Sequence, residues 1–191
     1  NFQLLSNNLL ITFHPVTLEK DTSADQMDQL LTALSQLEDM GLIFTMPNAD
    51  TDGRVLFEKI KSFCRERKNA KAYTSLGQLR YLSCISHVNG VIGNSSSGLL
   101  EVPSFKKATI NIGDRQRGRL KASSVIDCEP NVSSILQAID HLFSTDFLKR
   151  LELTESPYGS GGASKSILNF LENISFGTNS CKKSFYDLPR K

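Results

Sequence analysis

Residues 93–101 read Gly-Asn-Ser-Ser-Ser-Gly-Leu-Leu-Glu, and theirs are the residue types in the chain that most directly suggest chemistry. The apolar run 88–92 leads into them and a short helical pattern follows. A strand that ends in small hydroxyl and glycine residues and then feeds a helix leaves free backbone N–H groups, and the positive helix end, facing one space. A phosphate fits such a space. Ser95, Ser96 and Ser97 add hydroxyl donors, and Gly98, lacking a Cβ, lets a ligand approach the backbone closely. Glu101 falls about one helical turn further on, where a carboxylate can accept hydrogen bonds from vicinal ribose hydroxyls. The stretch therefore reads as a grip for a nucleoside diphosphate. The alternative is a serine-rich capping turn that binds nothing, because Ser and Gly are common turn formers.

The elements that must position this turn come from periodicity. The run Leu-Leu-Ile-Thr-Phe at 9–13 predicts a strand buried on both faces that stops at His14-Pro15. Ser23 and Gln26 have capping-box spacing, and Met27, Leu30, Leu31, Leu34, Leu37 and Met40 recur at helical intervals up to Gly41. A strand at 42–46 closes in the polar turn Pro47-Asn48-Ala49-Asp50, and Val55, Leu56, Ile60, Phe63 and Cys64 mark a second helix. A weak strand at 70–73 and a short helix through Leu76, Leu79 and Leu82 precede the 88–92 strand. Beyond the serine turn come a strand at 108–112, the turn Gly113-Asp114 with Arg115 after it, and a last short strand at Val125 and Ile126. Helices through Ile135, Ile139, Leu142 and Phe143 and through Ile167, Leu168, Leu171 and Ile174 flank a less regular segment, 147–153, and a glycine-rich turn, 157–162. That turn lacks the Gly-Lys-Ser/Thr ending of a P-loop.

Strands alternating with helices predict a doubly wound α/β domain with a mainly parallel sheet over residues 1–175, and a basic, extended tail over 176–191. His14, Asn48, the 93–98 turn and Arg115 then all fall at strand C-terminal ends, the ligand side of an open parallel sheet. Each has a plainer reading, His14 as a structural histidine and Asn48 as a turn former, but together they describe a nucleotide site. The first βα turn carries no Gly-x-Gly-x-x-Gly fingerprint, which argues against a standard NAD or FAD domain.

Composition narrows the partners. The 191 residues suit one domain, and 39% apolar with 22% charged residues is ordinary for a soluble globular protein. No apolar stretch approaches the roughly 20 residues that span a bilayer. A net charge of +2 spread along the chain points to neither nucleic acid nor a membrane surface. Arg115, Arg117, Arg119 and Lys121 cluster, in a way that suits a small anion better than a long polyanion. Cys64, Cys84, Cys128 and Cys181 form no Cys-x-x-Cys pair and have no neighbouring His, so the expectation is reduced thiols and no zinc. The absence of a signal peptide with this α/β pattern predicts a cytoplasmic protein. The chain starts at Asn1 without a methionine and reads as an excised piece of a longer one.

Four motifs in order carry a resemblance: Phe13-His14-Pro15-Val16-Thr17, Pro47-Asn48-Ala49-Asp50, Gly93-Asn94-Ser95-Ser96-Ser97-Gly98 with Glu101, and Asn111 through Arg119 with its Arg-Gln-Arg-Gly-Arg ending. They resemble those of the hydrolysing UDP-N-acetylglucosamine 2-epimerases, in particular the sialic-acid-pathway branch. The likeness runs from near Asn8 to about Asn173. It implies the second, nucleotide-binding domain of a two-domain GT-B fold, with the first domain absent. It also implies that Ser95, Ser96 and backbone around Gly98 hold the diphosphate of UDP and that Glu101 holds the ribose. Arg115 is then expected to contact the nucleotide or its phosphates, Asn48 to lie near them, Leu76 to offer backbone to the uracil, and His14 to stand beside the leaving diphosphate.

The family's reaction eliminates UDP to a glycal and adds water, giving UDP and a free 2-epimerised sugar such as N-acetylmannosamine, with no metal or redox cofactor. Its acidic groups for proton transfer lie in the first domain, so this piece is expected to bind UDP weakly and not to turn over. Homodimers are usual in the family. The bacterial cell-envelope branch carries an Arg-Pro-Glu type motif where this chain has Arg-Gln-Arg-Gly-Arg, which favours a sialic acid or related nonulosonate pathway and leaves the sugar open. Two other readings stand beside this one. The donor domain of a GT-B glycosyltransferase would pass the sugar to an acceptor. A non-catalytic module would use the serine turn only as a cap.

Overall fold

A computed structural model describes residues 2–15, 22–47 and 53–174. The chain divides into two compact units, Asn1–Tyr158 and Gly159–Lys191. The first holds six strands: β1 (Asn7–Thr12), β2 (Met40–Thr45), β3 (Ala70–Tyr73), β4 (Gly90–Gly93), β5 (Ala108–Ile112) and β6 (Val125–Cys128). They form one parallel sheet in the order β3-β2-β1-β4-β5-β6. This is the doubly wound order, whose direction reverses between β1 and β4 and opens a crevice at their C-terminal ends. The expected fold is therefore the observed one.

Helices α1 (Thr22–Ser35), α2 (Gly53–Glu66), α3 (Gly77–His87), α4 (Ser97–Leu100), α5 (Val132–Leu142) and α6 (Thr145–Glu152) complete this unit, with a 3-10 turn at Val102–Phe105. Side chains alternate across a strand, so each buried run feeds two cores. Leu9, Ile11, Phe13, Leu42, Phe44, Ile92 and Ile110 join Met27, Leu30, Leu56, Ile60, Ile135 and Ile139 on one side. Leu10, Ile43 and Val91 meet Ile85, Val88 and Val102 on the other. The second unit contains α7 (Ala163–Asn173), whose Ile167, Leu168, Phe170 and Leu171 are exposed. Among the described residues no helix is long and apolar enough to cross a membrane. Cys64, Cys84 and Cys128 are free thiols, which burial pushes up to about 11, 11 and 12. Cys181, Asn48 and the tail 176–191 lie outside the described residues.

Two elements differ from expectation. The periodicity through Leu37 and Met40 predicts a longer first helix, yet α1 stops at Ser35 and Met40 opens β2. Arg67 donates to the Ser35 and Leu37 carbonyls, and the Asn69 amide donates to those of Leu37, Glu38 and Met40. Side chains from the connection that follows α2 thus satisfy carbonyls left free where α1 stops. Conversely, segment 147–153 is regular: Ser144 caps α6 through the Phe147 N–H, and Phe147 and Leu151, one turn apart, are its buried anchors.

Gly93 sits hard against β1 at the sheet's C-terminal edge. Its φ is 143°, and a Cβ there would collide with the Thr12 carbonyl oxygen. Gly113, at φ 71°, has open space where its Cβ would be. Chemical denaturation of the chain should therefore show Gly93→Ala losing about 3 kcal/mol or more, against about 1 kcal/mol for Gly113→Ala. Equal losses would show that the β1–β4 approach is not as close as described.

Candidate functional site

The site is built where β1, β4 and β5 end side by side. Thr12 pairs with Gly93 and Gly93 with Asn111 in the ladder, so the residues that follow, His14, Asn94 and the Gly113–Gln116 loop, emerge together. Asn94 is 1% exposed and its side chain continues the ladder past the last peptide pair. Its Oδ1 accepts from the His14 backbone N–H at 2.8 Å, and its Nδ2 donates to the His14 carbonyl at 2.8 Å. Its own N–H donates to the Thr12 carbonyl at 3.3 Å. A carboxamide has the donor and acceptor of a peptide group, so it can replace one at a strand end.

The Asn94 carbonyl is taken by two side chains from the β5 loop. Arg115 donates to it through Nη1 at 3.0 Å and Gln116 through Nε2 at 2.8 Å. The chain then turns, with Gly98 N–H donating to Ser95 O at 3.2 Å and Leu99 and Leu100 N–H to Ser96 O at 3.0 Å. Among the described residues no protein group accepts from the Ser95 or Ser96 N–H. Both serines are half-buried, and their amides and hydroxyls are the donors left for an anion.

Gly98 and Glu101 follow on the same turn. The sequence predicts a helix long enough to lend a dipole and to carry Glu101 inside it. Instead α4 is a single turn, Glu101 is its C-cap, and a 3-10 turn with Pro103 near its start follows directly. Attraction for an anion here rests on the turn's N–H groups, hydroxyls and Arg115. The missing Cβ of Gly98 has its own structural reason: it would sit 2.5 Å from Thr109 Cγ2, and Thr109 Oγ1 donates to the Gly98 carbonyl at 2.7 Å. Glu101 is half-buried and forms no ion pair among the described residues, so its carboxylate can accept from a diol. Leu76 is the half-buried N-cap of α3, on the same rim after β3. That strand stands two places from β1, about 10 Å across the sheet. Asn48 falls outside the described residues.

Beneath the turn, the Thr12 and Thr45 hydroxyls pair at 2.8 Å. Tyr81, on α3, lies beside Thr12 and Ser97; neither meets its hydroxyl in hydrogen-bond geometry, and the Ser97 hydroxyl is likewise buried without a partner. Burial pushes the Tyr81 phenol up, its hydroxyl neighbours oppose this, and the Glu101 charge adds to it. It therefore stays a donor at neutral pH. Past β5 and β6 a cavity of about 890 Å³ is lined by Arg115, Arg117, Arg119, Lys121, Asp127 and Glu129, with Lys121 paired to Asp127 at 2.7 Å. Among the described residues no group of three His, Cys, Asp or Glu is arranged to hold a metal ion.

The structure thus joins His14, Ser95, Ser96 and Arg115 through Asn94, and adds three residues that the sequence does not single out: Asn94 itself, Gln116 and Tyr81. Only burial reveals them. A Gln between two arginines and a Tyr on a helix carry no periodic signal.

The family model for UDP-N-acetylglucosamine 2-epimerase matches residues 3–172. The polysialic acid biosynthesis protein P7 of Escherichia coli is 38% identical over 187 residues, covering 97% of this chain and 48% of that protein. The GDP/UDP-N,N'-diacetylbacillosamine 2-epimerase (hydrolyzing) of Campylobacter jejuni is 39% identical over 181 residues, 94% of this chain and 46% of its own length. The chain spans about half the length of these curated relatives. Among solved structures, a UDP co-structure of S. aureus MnaA aligns with a TM-score of 0.70 at 17% identity, over 87% of this chain and 44% of that one. The Neisseria meningitidis UDP-GlcNAc 2-epimerase bound to UDP-GlcNAc aligns at 0.65 and 17%, over 90% and 46%. At that identity the likeness establishes the fold.

The Asn94 amide carries a stability prediction. Asn94→Leu strands the N–H and C=O of His14 and should cost about 2–4 kcal/mol in denaturant unfolding, whereas Tyr81→Phe, removing a buried hydroxyl with no partner, should leave stability unchanged or raise it by about 1 kcal/mol. A neutral Asn94→Leu would refute the strand-extension role.

Proposed function

The chain belongs to the UDP-N-acetylglucosamine 2-epimerase family, and we propose that it is the UDP-binding half of a hydrolysing enzyme of that family. The observation that carries this reading is the convergence of unused Ser95 and Ser96 amides, the Arg115 guanidinium and the Glu101 carboxylate on one rim of the sheet. A diphosphate takes the amides, the serine hydroxyls and Arg115, with backbone near Gly98 alongside. Glu101 takes the two ribose hydroxyls, the uracil extends toward Leu76, and Asn48 closes the site from the β2 loop.

The reaction in this reading is anti-elimination of UDP from the sugar, followed by addition of water to the glycal, giving UDP and N-acetylmannosamine or a related 2-epimerised amino sugar. Charge develops on the diphosphate as the C–O bond breaks, and donors already aimed at it stabilise that charge without reorganising. His14 stands next to the serine turn because its backbone is bound to Asn94. Protonated, its imidazole adds a positive charge beside the leaving group. Removing the C2 proton requires a general base. The first half of the longer protein supplies it, so this chain binds without turning over. No metal or redox cofactor takes part. The working protein is a cytoplasmic homodimer. Of the two other readings, a glycosyltransferase donor domain shares the fold, but relatives at 38 and 39% identity include a named hydrolysing epimerase, which favours the first reading.

Calorimetric titration of the chain with UDP should give saturable binding. Glu101→Ala should weaken it about 10- to 100-fold, the worth of hydrogen bonds to a charged group. The chain incubated with UDP-N-acetylglucosamine should release no UDP, while the two-domain protein releases UDP and free sugar. A folded chain that ignores UDP, or UDP affinity indifferent to Glu101→Ala, would contradict this function.

A further inference from the structure

Gln116 is 1% exposed, and its Oε1 is buried without a partner. A buried carboxamide with one half unsatisfied is a poor choice for packing alone, since an apolar side chain of that size would carry no desolvation cost. Its compensating contact is the 2.8 Å hydrogen bond from Nε2 to the Asn94 carbonyl, which Arg115 shares at 3.0 Å. Arg115 is exposed and charged, and can be drawn toward a bound anion; Gln116 is buried and neutral.

The consequence follows from peptide geometry. The bond between Asn94 and Ser95 is trans, so the Ser95 N–H points opposite to the Asn94 carbonyl. Holding that carbonyl from the β5 side fixes the Ser95 amide outward, away from Gln116. Without the hold, the peptide plane is free to rotate and the amide no longer has one direction.

We propose that Gln116 is a positioning residue for diphosphate binding: by holding the Asn94 carbonyl it keeps the Ser95 N–H aimed at the anion, and it frees Arg115 to leave that carbonyl when the ligand arrives. The proposal rests on the UDP-binding reading above. It also divides labour between two neighbours. Arg115 gives charge, and Gln116 gives orientation that persists when Arg115 moves.

The test is calorimetric titration of the chain with UDP, comparing Gln116→Glu with the unsubstituted chain between pH 8 and pH 5.5. An ionised Glu offers the Asn94 carbonyl no donor and adds a negative charge; once protonated it donates an O–H in place of the amide. The charged and titratable groups nearby are Asp114, Arg115 and Arg117 on the same loop, His14 beyond β1, Glu101 beyond α4 and Asp127 on β6. They are common to both proteins, as is the ionisation of UDP, so the ratio of the two affinities is the readout. The ratio should be at least about thirtyfold at pH 8 and should fall toward pH 5.5, because burial at this 1% exposed position raises the introduced carboxyl above its ordinary value of about 4.3. Gln116→Met, of similar length and without donor or charge, should bind UDP about tenfold more weakly at both pH values, and it serves if the Glu variant does not fold. A folded Gln116→Met that binds UDP like the unsubstituted chain, or a folded Gln116→Glu that binds it as tightly as the unsubstituted chain at pH 8, overturns the proposal. If the unsubstituted chain does not bind UDP, the functional reading has failed first.

Discussion

The C-terminal rim of this sheet depends on one side chain, the Asn94 carboxamide. Parallel strands stop hydrogen bonding where their ladder ends, and the loops beyond them would ordinarily be free to diverge. Asn94 prevents this by presenting a peptide-like group to His14, while its own carbonyl is held from β5. Three loops from three strands are thereby tied at a single residue. The arrangement needs β1 and β4 to approach very closely, which the absence of a Cβ at Gly93 permits. A sheet of the same order without that contact would keep its core but lose its fixed rim.

The electrostatic plan follows from the shortness of α4. A one-turn helix contributes little aligned dipole, so in the proposed reading an anion is held by groups individually aimed: two amides, serine hydroxyls and one guanidinium. Such donors are only as good as their orientation. In that reading the buried, uncharged Asn94 and Gln116, which hold the backbone here, count beside the exposed Arg115. Glu101, at the end of the same turn, places a negative charge one step away, where it suits hydroxyls rather than phosphates.

Much of this was legible in the sequence because it rests on local rules. Alternating strand and helix patterns gave the doubly wound sheet, and the coincidence of His14, the serine turn and Arg115 with strand ends gave the rim. What could not be read depended on contacts far apart in the chain. The early end of α1 is set by Arg67 and Asn69, some thirty residues downstream. The brevity of α4 hides behind an apolar run, Leu99-Leu100, that continues the helical pattern. Gln116 gains its meaning only through a carbonyl 22 positions away. Candidate ligand-binding residues announce themselves by type; residues that hold the backbone around them do not.

The most direct test is a crystal structure of the chain with UDP. The account predicts diphosphate oxygens within about 2.7–3.2 Å of the Ser95 and Ser96 amides, with the ribose hydroxyls on Glu101. A diphosphate seated instead in the cavity between Arg117 and Arg119, with the serine amides bound only to water, would contradict it.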